Sequence, residues 1–167
     1  IENVVGGVFN DTIAGNSGSN TIEGGAGSDT LTGGGGADMF LFTAIGDSAE
    51  INTDTELNSS TLGTNGIDVI NDFVSGVDKI GIGAEFAITP PDGPGGTSTG
   101  AVLDNFTFFT VSGYDGTNSG AISGVRHLIF DTSDNVLIFD DNAATAGYTI
   151  IAETTGATVV ASDIITD

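Results

Sequence analysis

A nine-residue period near the start of the chain constrains its fold more than any other feature. Four blocks follow one another without gaps and share the pattern G-G-x-G-x-D-x-U-x, where U is a large apolar residue: GGVFNDTIA (6–14), GNSGSNTIE (15–23), GGAGSDTLT (24–32) and GGGGADMFL (33–41). Seventeen of the twenty diagnostic positions match, and the departures are Phe9, Asn16 and Asn20. A period of this kind is typical of a coil of short parallel strands joined by glycine-rich turns.

Each block divides into a turn and a strand. The first six residues form the turn, where glycine reaches positive φ without strain and lets backbones approach closely. Side chains alternate along the last three residues, so the apolar one points into the coil. Because a single block cannot bury its apolar residue alone, we expect Ile13, Ile22, Leu31 and Phe40 to form one shared buried column.

The acidic position of the repeat predicts a cation site. If two blocks make one full coil, Asp11 stacks beside Asp29, and Asn20 beside Asp38. Two carboxylates held close together repel each other unless a cation lies between them. Hard oxygen ligands in a flexible arrangement suit Ca²⁺. Ordinary turn residues are the alternative interpretation of these acids. Asn20 is neutral, so its site is expected to bind calcium less tightly.

Composition narrows the choice of partners. The chain has 2 Lys+Arg against 23 Asp+Glu and a formal net charge of −21, which disfavours nucleic acid and anionic membranes as partners. Solubility is the alternative reason for this acidity. The absence of cysteine excludes disulfides and thiolate metal sites. No run reaches the ~20 apolar residues of a membrane span. The sequence contains no H-E-x-x-H or G-x-S-x-G motif, so we predict that this chain is not an enzyme.

Residues 6–41 resemble the RTX (repeats-in-toxin) family of calcium-dependent secreted proteins. The resemblance implies a right-handed parallel β-roll with Ca²⁺ between its turns. It also implies two ligand sets. One ion would take the carboxylates of Asp11 and Asp29 with the carbonyls of Gly6, Val8, Gly25 and Gly27. A second ion would take the side chains of Asn20 and Asp38 with the carbonyls of Gly15, Ser17, Gly34 and Gly36.

Two later segments extend the resemblance. The stretch IDVINDFVSGVDKIGI (67–82) is similar to the segment that closes the roll in serralysin-type proteases, which makes Asp47, Asp68 and Asp72 further candidate calcium ligands. The longer polar insert at 51–66 departs from that family pattern. HLIFDTSDNVLIFDDN (127–142) and the strands after it resemble the C-terminal ends of RTX proteins, which carry a signal read by type I secretion machinery.

The sequence therefore predicts an all-β chain: a right-handed parallel β-roll followed by a β-sandwich-like C-terminal cap. We expect a roll at 1–41, a roll-closing segment at 42–88, a loop at 89–100, and a β-rich cap with a possible secretion signal at 101–167. The expected function is a secreted calcium-binding module that folds on binding Ca²⁺ after type I secretion. A self-associating surface-layer, adhesin or filament subunit is one alternative, and the non-catalytic C-terminal domain of a secreted hydrolase is another.

Overall fold

The structure, a computed structural model, describes residues 2–44, 50–51, 67–83, 86, 101–102, 108–114, 127–140 and 148–166. Within these ranges the chain forms fourteen β-strands. They are β1 Asn3–Val5, β2 Thr12–Ala14, β3 Thr21–Glu23, β4 Thr30–Thr32, β5 Met39–Phe42, β6 Glu50–Ile51, β7 Asp68–Ile70, β8 Lys79–Ile82, β9 Ala101–Val102, β10 Phe108–Val111, β11 His127–Asp131, β12 Val136–Asp140, β13 Tyr148–Thr154 and β14 Ile164–Thr166. A 3-10 turn, Ala161–Asp163, leads into β14.

The strands belong to two sheets. The six-stranded sheet has the order β1-β3-β5-β8-β14-β9, and the eight-stranded sheet has the order β10-β11-β12-β13-β7-β4-β2 with β6 paired to β13. Successive strands of the repeat region alternate between the two sheets, so one coil consists of two blocks. We call residues 6–23 coil one and residues 24–41 coil two.

The strand register follows the repeat period. β2 pairs with β4 in parallel, with Ile13 opposite Leu31, and β3 pairs with β5 in parallel, with Ile22 opposite Phe40. Each apolar residue therefore lies on the residue eighteen positions later. The predicted column is confirmed, because Ile22, Leu31 and Phe40 are fully buried and Ile13, in the outermost coil, is 8% exposed.

The C-terminal region continues the same two sheets. β7 and β8 form the third and last coil and extend both sheets beyond coil two, pairing in parallel with β4 and β5. β13 then pairs in parallel with β7, and β14 pairs in parallel with β8, where Ile164 lies opposite Ile80. β12 pairs antiparallel with β13 and with β11, and β10 pairs in parallel with β11 at the far edge of the eight-stranded sheet. One apolar cluster accordingly runs from Ile13 in the first coil to Ile164 near the end.

These observations confirm an all-β fold with a parallel β-roll, while the handedness of the roll stays a prediction. The β-sandwich-like cap is not confirmed, since the described strands of 101–167 join the sheets of the roll. The four segment boundaries also stay predictions, and the loop at 89–100 lies outside the described residues. In the part of the chain that the structure describes, no helix has the length and apolar character that a membrane crossing needs.

Candidate metal centre

The acidic position of each block connects one coil to the next. The backbone N–H of Asp11 donates to Oδ1 of Asp29 at 2.7 Å, and the backbone N–H of Asp29 donates to Oδ1 of Asp68 at 2.7 Å. Three carboxylates from three successive coils therefore follow one edge of the roll, beside the eight-stranded sheet. We call Asp11, Asp29 and Asp68 the first ladder.

The same arrangement recurs beside the six-stranded sheet. The backbone N–H of Asn20 donates to Oδ1 of Asp38 at 2.8 Å, and the backbone N–H of Asp38 donates to Oδ1 of Asp78 at 2.9 Å. We call Asn20, Asp38 and Asp78 the second ladder. The sequence therefore predicted the pairs Asp11/Asp29 and Asn20/Asp38 in the arrangement that the structure shows.

The second carboxylate oxygen faces its own turn. Oδ2 of Asp11 accepts from the N–H of Gly7 at 2.8 Å, and Oδ2 of Asp78 accepts from the N–H of Val74 at 2.8 Å. In the four nine-residue blocks the first residue is glycine, and its lack of a side chain leaves room for the acid of the same block. A Cβ placed on Gly24 or Gly33 would lie less than 3.0 Å from the Oδ2 atom of the acid in the same block, which is closer than real Cβ contacts allow.

Backbone carbonyls converge on the same places. A Cβ on Gly6 would lie 2.9 Å from Oδ2 of Asp11 and closer still to the carbonyl oxygen of Gly24, one coil further on. The lack of a side chain at Gly6 therefore leaves a cradle bordered by a carboxylate of one coil and a carbonyl of the next. Carboxylate and carbonyl oxygens are the ligands that Ca²⁺ takes, six to eight at a time, so the residues present fit calcium.

Burial raises the free energy of the charged carboxylates in the two ladders. Asp29, Asp38, Asp68 and Asp78 are each no more than 4% exposed. Two carboxylates at the strand spacing of about 4.8 Å repel each other by roughly 3–4 kcal/mol at an effective dielectric constant of about 20. The chain has 2 Lys+Arg against 23 Asp+Glu, so its own cations are too few to offset this repulsion. A divalent cation between the coils would do so.

The candidate ligands from the roll-closing segment have different positions. Asp68 belongs to the first ladder. Asp72 lies beside the turn of the fourth block, where its two carboxylate oxygens accept from the N–H groups of Gly33 and Gly34, each at 2.8 Å. The Asp72 side chain thus binds the backbone of that turn. The role of Asp72 as a calcium ligand stays a prediction. Asp47 lies outside the described residues.

The sequence reasoning missed Asp78 as a member of a ladder. The signal was present in the sequence, because residues 76–80 read G-x-D-x-U. Gly76 corresponds to Gly36 of the fourth block, and both have a positive φ, 82° at Gly76 and 104° at Gly36. Two things concealed it. The polar insert interrupts the repeat, and Asp68 and Asp78 are ten residues apart instead of nine.

No group of three or more His, Cys, Asp or Glu side chains comes together as a metal cluster among the described residues. This agrees with the geometry of the ladders, in which a gap between two coils is bordered by two side chains of the acidic position. Backbone carbonyls, such as that of Gly24 beside Asp11, would have to supply the remaining ligands of an ion in such a gap.

A lysine and an acid connect the last coil to the C-terminal strand. Asp163 is fully buried and accepts from the hydroxyl of Ser75 at 2.6 Å and from the N–H of Gly76 at 2.9 Å. Nζ of Lys79 lies 3.6 Å from Oδ1 of Asp163 and donates to the carbonyl of Ser162 at 3.0 Å. In this contact the positive charge beside the carboxylate is supplied by the chain itself.

Asp131, the last residue of β11, is a buried acid that belongs to neither ladder. Asp131 is fully buried and accepts from the N–H of Gly113 at 3.0 Å, of Tyr114 at 2.6 Å and of Ser133 at 2.8 Å, and from the Ser133 hydroxyl at 2.7 Å. Burial alone would raise the pKa of Asp131, but these hydrogen bonds outweigh it and hold the pKa below its ordinary value. Asp131 therefore connects the end of β10 to the β11–β12 turn as an ionised acceptor.

The two-block coil, the carboxylate ladders and the cradles beside the position-one glycines together define a calcium-binding β-roll. Comparison with known proteins identifies the repeat. Residues 5–40 match the RTX calcium-binding nonapeptide repeat in four copies, and these repeats bind calcium ions. The RTX prediction is thus confirmed for the repeats. The similarity of the later segments to serralysin-type proteases is not confirmed.

Among solved structures, the chain is similar to the solution structure of the AlgE6R3 subunit from the Azotobacter vinelandii mannuronan C5-epimerase. The identity is 23%, the match covers 96% of this chain and 80% of that chain, and the TM-score is 0.44. No curated protein matches the chain.

Proposed function

We propose that this calcium-binding β-roll folds when it binds Ca²⁺ outside the cell, after export by type I secretion machinery. The observation that carries the proposal is the hydrogen bond from each acidic residue of one coil to the carboxylate of the next. The coils cannot stack in this register without bringing buried carboxylates to the strand spacing. Stacking and charge repulsion are therefore coupled, and a cation relieves the repulsion.

The calcium levels on the two sides of the membrane suit such coupling. Sites in extracellular modules bind Ca²⁺ with Kd values of about 10⁻⁴–10⁻³ M. Such sites stay empty at cytosolic calcium levels, where the unstacked chain suits passage through a secretion channel, and they fill outside. Because the complete site exists only in the stacked coil, the free energy of binding becomes free energy of folding.

We assign the ions to the gaps between successive acids of each ladder. One gap lies between Asp11 and Asp29, where the sequence also predicts carbonyl ligands from Gly6, Val8, Gly25 and Gly27. Further gaps lie between Asp29 and Asp68 and between Asp38 and Asp78. For Asn20 and Asp38, with the carbonyls of Gly15, Ser17, Gly34 and Gly36, the sequence predicts a weaker site.

The proposal is tested by following the far-ultraviolet circular dichroism of the whole chain as CaCl₂ is added to protein prepared in EDTA, with MgCl₂ as the control. We expect a cooperative gain of β-structure with calcium at about 10⁻⁴–10⁻³ M. Mg²⁺ should fail to produce it, because Mg²⁺ demands near-octahedral geometry and loses its water reluctantly. The same spectrum in EDTA and in saturating calcium would refute folding on binding.

Export is tested separately. The chain would be expressed in bacteria with and without a type I secretion apparatus, and its amount in the medium measured. We expect protein in the medium only when the apparatus is present. Equal amounts in both media would refute this part of the proposal without touching the calcium part. That the chain has no catalytic activity of its own stays a prediction, and the non-catalytic C-terminal domain of a secreted hydrolase stays an alternative.

Self-association is a second candidate function, favoured by the open end of the roll. β1 and β2 are the outermost strands of the two sheets at that end. Val5, Val8 and Phe9 are 70%, 71% and 79% exposed there, so three large apolar side chains face solvent at this end of an acidic chain. Sedimentation velocity in calcium should show oligomers that disappear in Phe9→Ser. A monomer at every concentration would exclude this candidate.

A further inference from the structure

Asn20 occupies the acidic position of the second block, yet its surroundings are those of a bound cation. The side chain is 2% exposed. Its amide nitrogen Nδ2 lies within hydrogen-bond distance of three oxygens, which share its two N–H donors: the carbonyl of Gly18, the carbonyl of Gly33 at 3.2 Å and Oδ1 of Asp38 at 2.9 Å. Gly18 lies in coil one, whereas Gly33 and Asp38 lie in coil two. A single nitrogen thus bridges the two coils through the kinds of oxygen that Ca²⁺ takes.

The orientation of this amide follows from its partners. Three acceptor oxygens surround one end of the side chain. The NH₂ group at that end bridges them without an ion, whereas a carbonyl oxygen there would face only like partial charges unless a cation lay between them. The other end, Oδ1, is buried and accepts no hydrogen bond. Turning the amide over would take this donor away from all three oxygens, and Oδ1 of Asp38 would keep only the backbone N–H of Asn20.

The first ladder supplies the comparison. A Cβ on Gly6 would lie 2.9 Å from Oδ2 of Asp11, and a Cβ on the equivalent Gly15 would lie 2.9 Å from Nδ2 of Asn20. A hydrogen-bond donor therefore occupies in one ladder the place that a carboxylate oxygen occupies in the other. Oδ1 of Asp38 accepts from both the backbone N–H and the amide of Asn20. This gap consequently carries one carboxylate charge instead of two.

We infer that the Asn20 amide replaces a calcium ion between coil one and coil two on the second ladder. The two coils are then joined by an ion on the Asp11 edge and by protein hydrogen bonds on the Asn20 edge. The first coil has one calcium-dependent edge and one that needs no ion. This inference rests on the proposed function, since it presupposes that the neighbouring gaps hold calcium.

The test counts bound ions in the whole chain, by native mass spectrometry and by isothermal titration with CaCl₂. Asn20→Asp restores the carboxylate and should bind one ion more than the wild type. Asn3→Asp adds the same charge on the exposed face of β1 and should bind the same number as the wild type. Asp11→Asn copies the Asn20 arrangement on the other ladder and should bind one ion fewer. An unchanged count for Asn20→Asp would overturn the inference, because the wild-type gap would then already hold an ion.

A second measurement needs no variant to fold. In the calcium-saturated wild type, the side-chain NH₂ of Asn20 should exchange its protons with water far more slowly than the exposed amide of Asn3, since it is buried and bound to three oxygens. Exchange as fast as that of Asn3 would overturn the inference. A wild type that binds no calcium at all would instead refute the proposed function, so the two failures are distinguishable.

Discussion

The sharing of Asp29 between two gaps leads to a quantitative prediction about calcium dependence. Asp29 lies in the middle of the first ladder, where it is hydrogen-bonded to Asp11 on one side and to Asp68 on the other. Asp11 lies at the end of the described ladder and borders one gap. Asp29→Ala should therefore remove two calcium ions, and Asp11→Ala should remove one.

The magnitude follows from ligand linkage. Above its Kd, each ion that binds only the folded state raises the free energy of unfolding by RT ln 10, about 1.4 kcal/mol, for every tenfold increase in free calcium. Relative to the wild type, this slope should fall by about 1.4 kcal/mol per decade in Asp11→Ala and by about 2.7 kcal/mol per decade in Asp29→Ala. Both variants also lose a carboxylate acceptor, but that cost does not depend on calcium.

The assay is urea unfolding, followed by circular dichroism at several calcium concentrations above about 10⁻³ M, the weak limit for extracellular sites. Glu2→Gln removes the same charge from an exposed position and should leave the slope unchanged. Equal slopes for the two alanine variants would show that Asp29 is not shared. Slopes equal to that of Glu2→Gln would show that the first ladder holds no calcium.

Four further predictions are each measured by urea unfolding, at saturating calcium unless another condition is stated. Gly34→Ala should lower the free energy of unfolding by about 2–5 kcal/mol, because Gly34 has a positive φ of 99° and its Cβ would lie less than 3.0 Å from a backbone carbonyl of coil one. Gly76→Ala, with a φ of 82° and open space around it, should lower it by about 1–2 kcal/mol. Equal losses would contradict the steric argument. Asp163→Asn should cost about 2–3 kcal/mol at every calcium concentration, because a buried charged acceptor is lost; a cost that varied with calcium would place an ion there. Because the pKa of Asp131 is lowered in the folded state, this carboxylate stabilises the protein at pH values above the ordinary aspartate pKa of about 3.9. The stabilisation is lost as the pH falls through the lower folded-state pKa, so Asp131→Asn should flatten the acid side of the plot of stability against pH. An unchanged acid side would refute this role. Burial, with Asp134 as a smaller cause, raises the pKa of Glu153, so its charged form destabilises the folded state at neutral pH. Glu153→Gln should therefore increase stability at neutral pH but not at pH values below the ordinary glutamate pKa. A loss of stability at neutral pH would contradict the argument.

Local periodicity was sufficient for the first four blocks. A period of nine fixes which residue points inward and which acid follows which, because every coil repeats the same turn and strand. The pairing of Asp11 with Asp29, and the burial of Ile22 and Leu31, could therefore be predicted without coordinates. The neutral Asn20 was also recognised as a departure, but its contacts were not, because the direction of an amide depends on oxygens contributed by the next coil.

What the sequence alone determined about this protein is the repeat, its phase and the calcium chemistry of the acidic position, because these depend on residues at fixed local spacing. The tertiary structure alone decided that the ladders continue to Asp68 and Asp78, that Lys79 and Asp163 join the last coil to the tail, and that β13 and β14 extend the two sheets of the roll. Parallel pairing across a long insert is selected by the burial of a shared core and by backbone hydrogen bonds between distant segments. Neither is encoded in the spacing of residues along the chain.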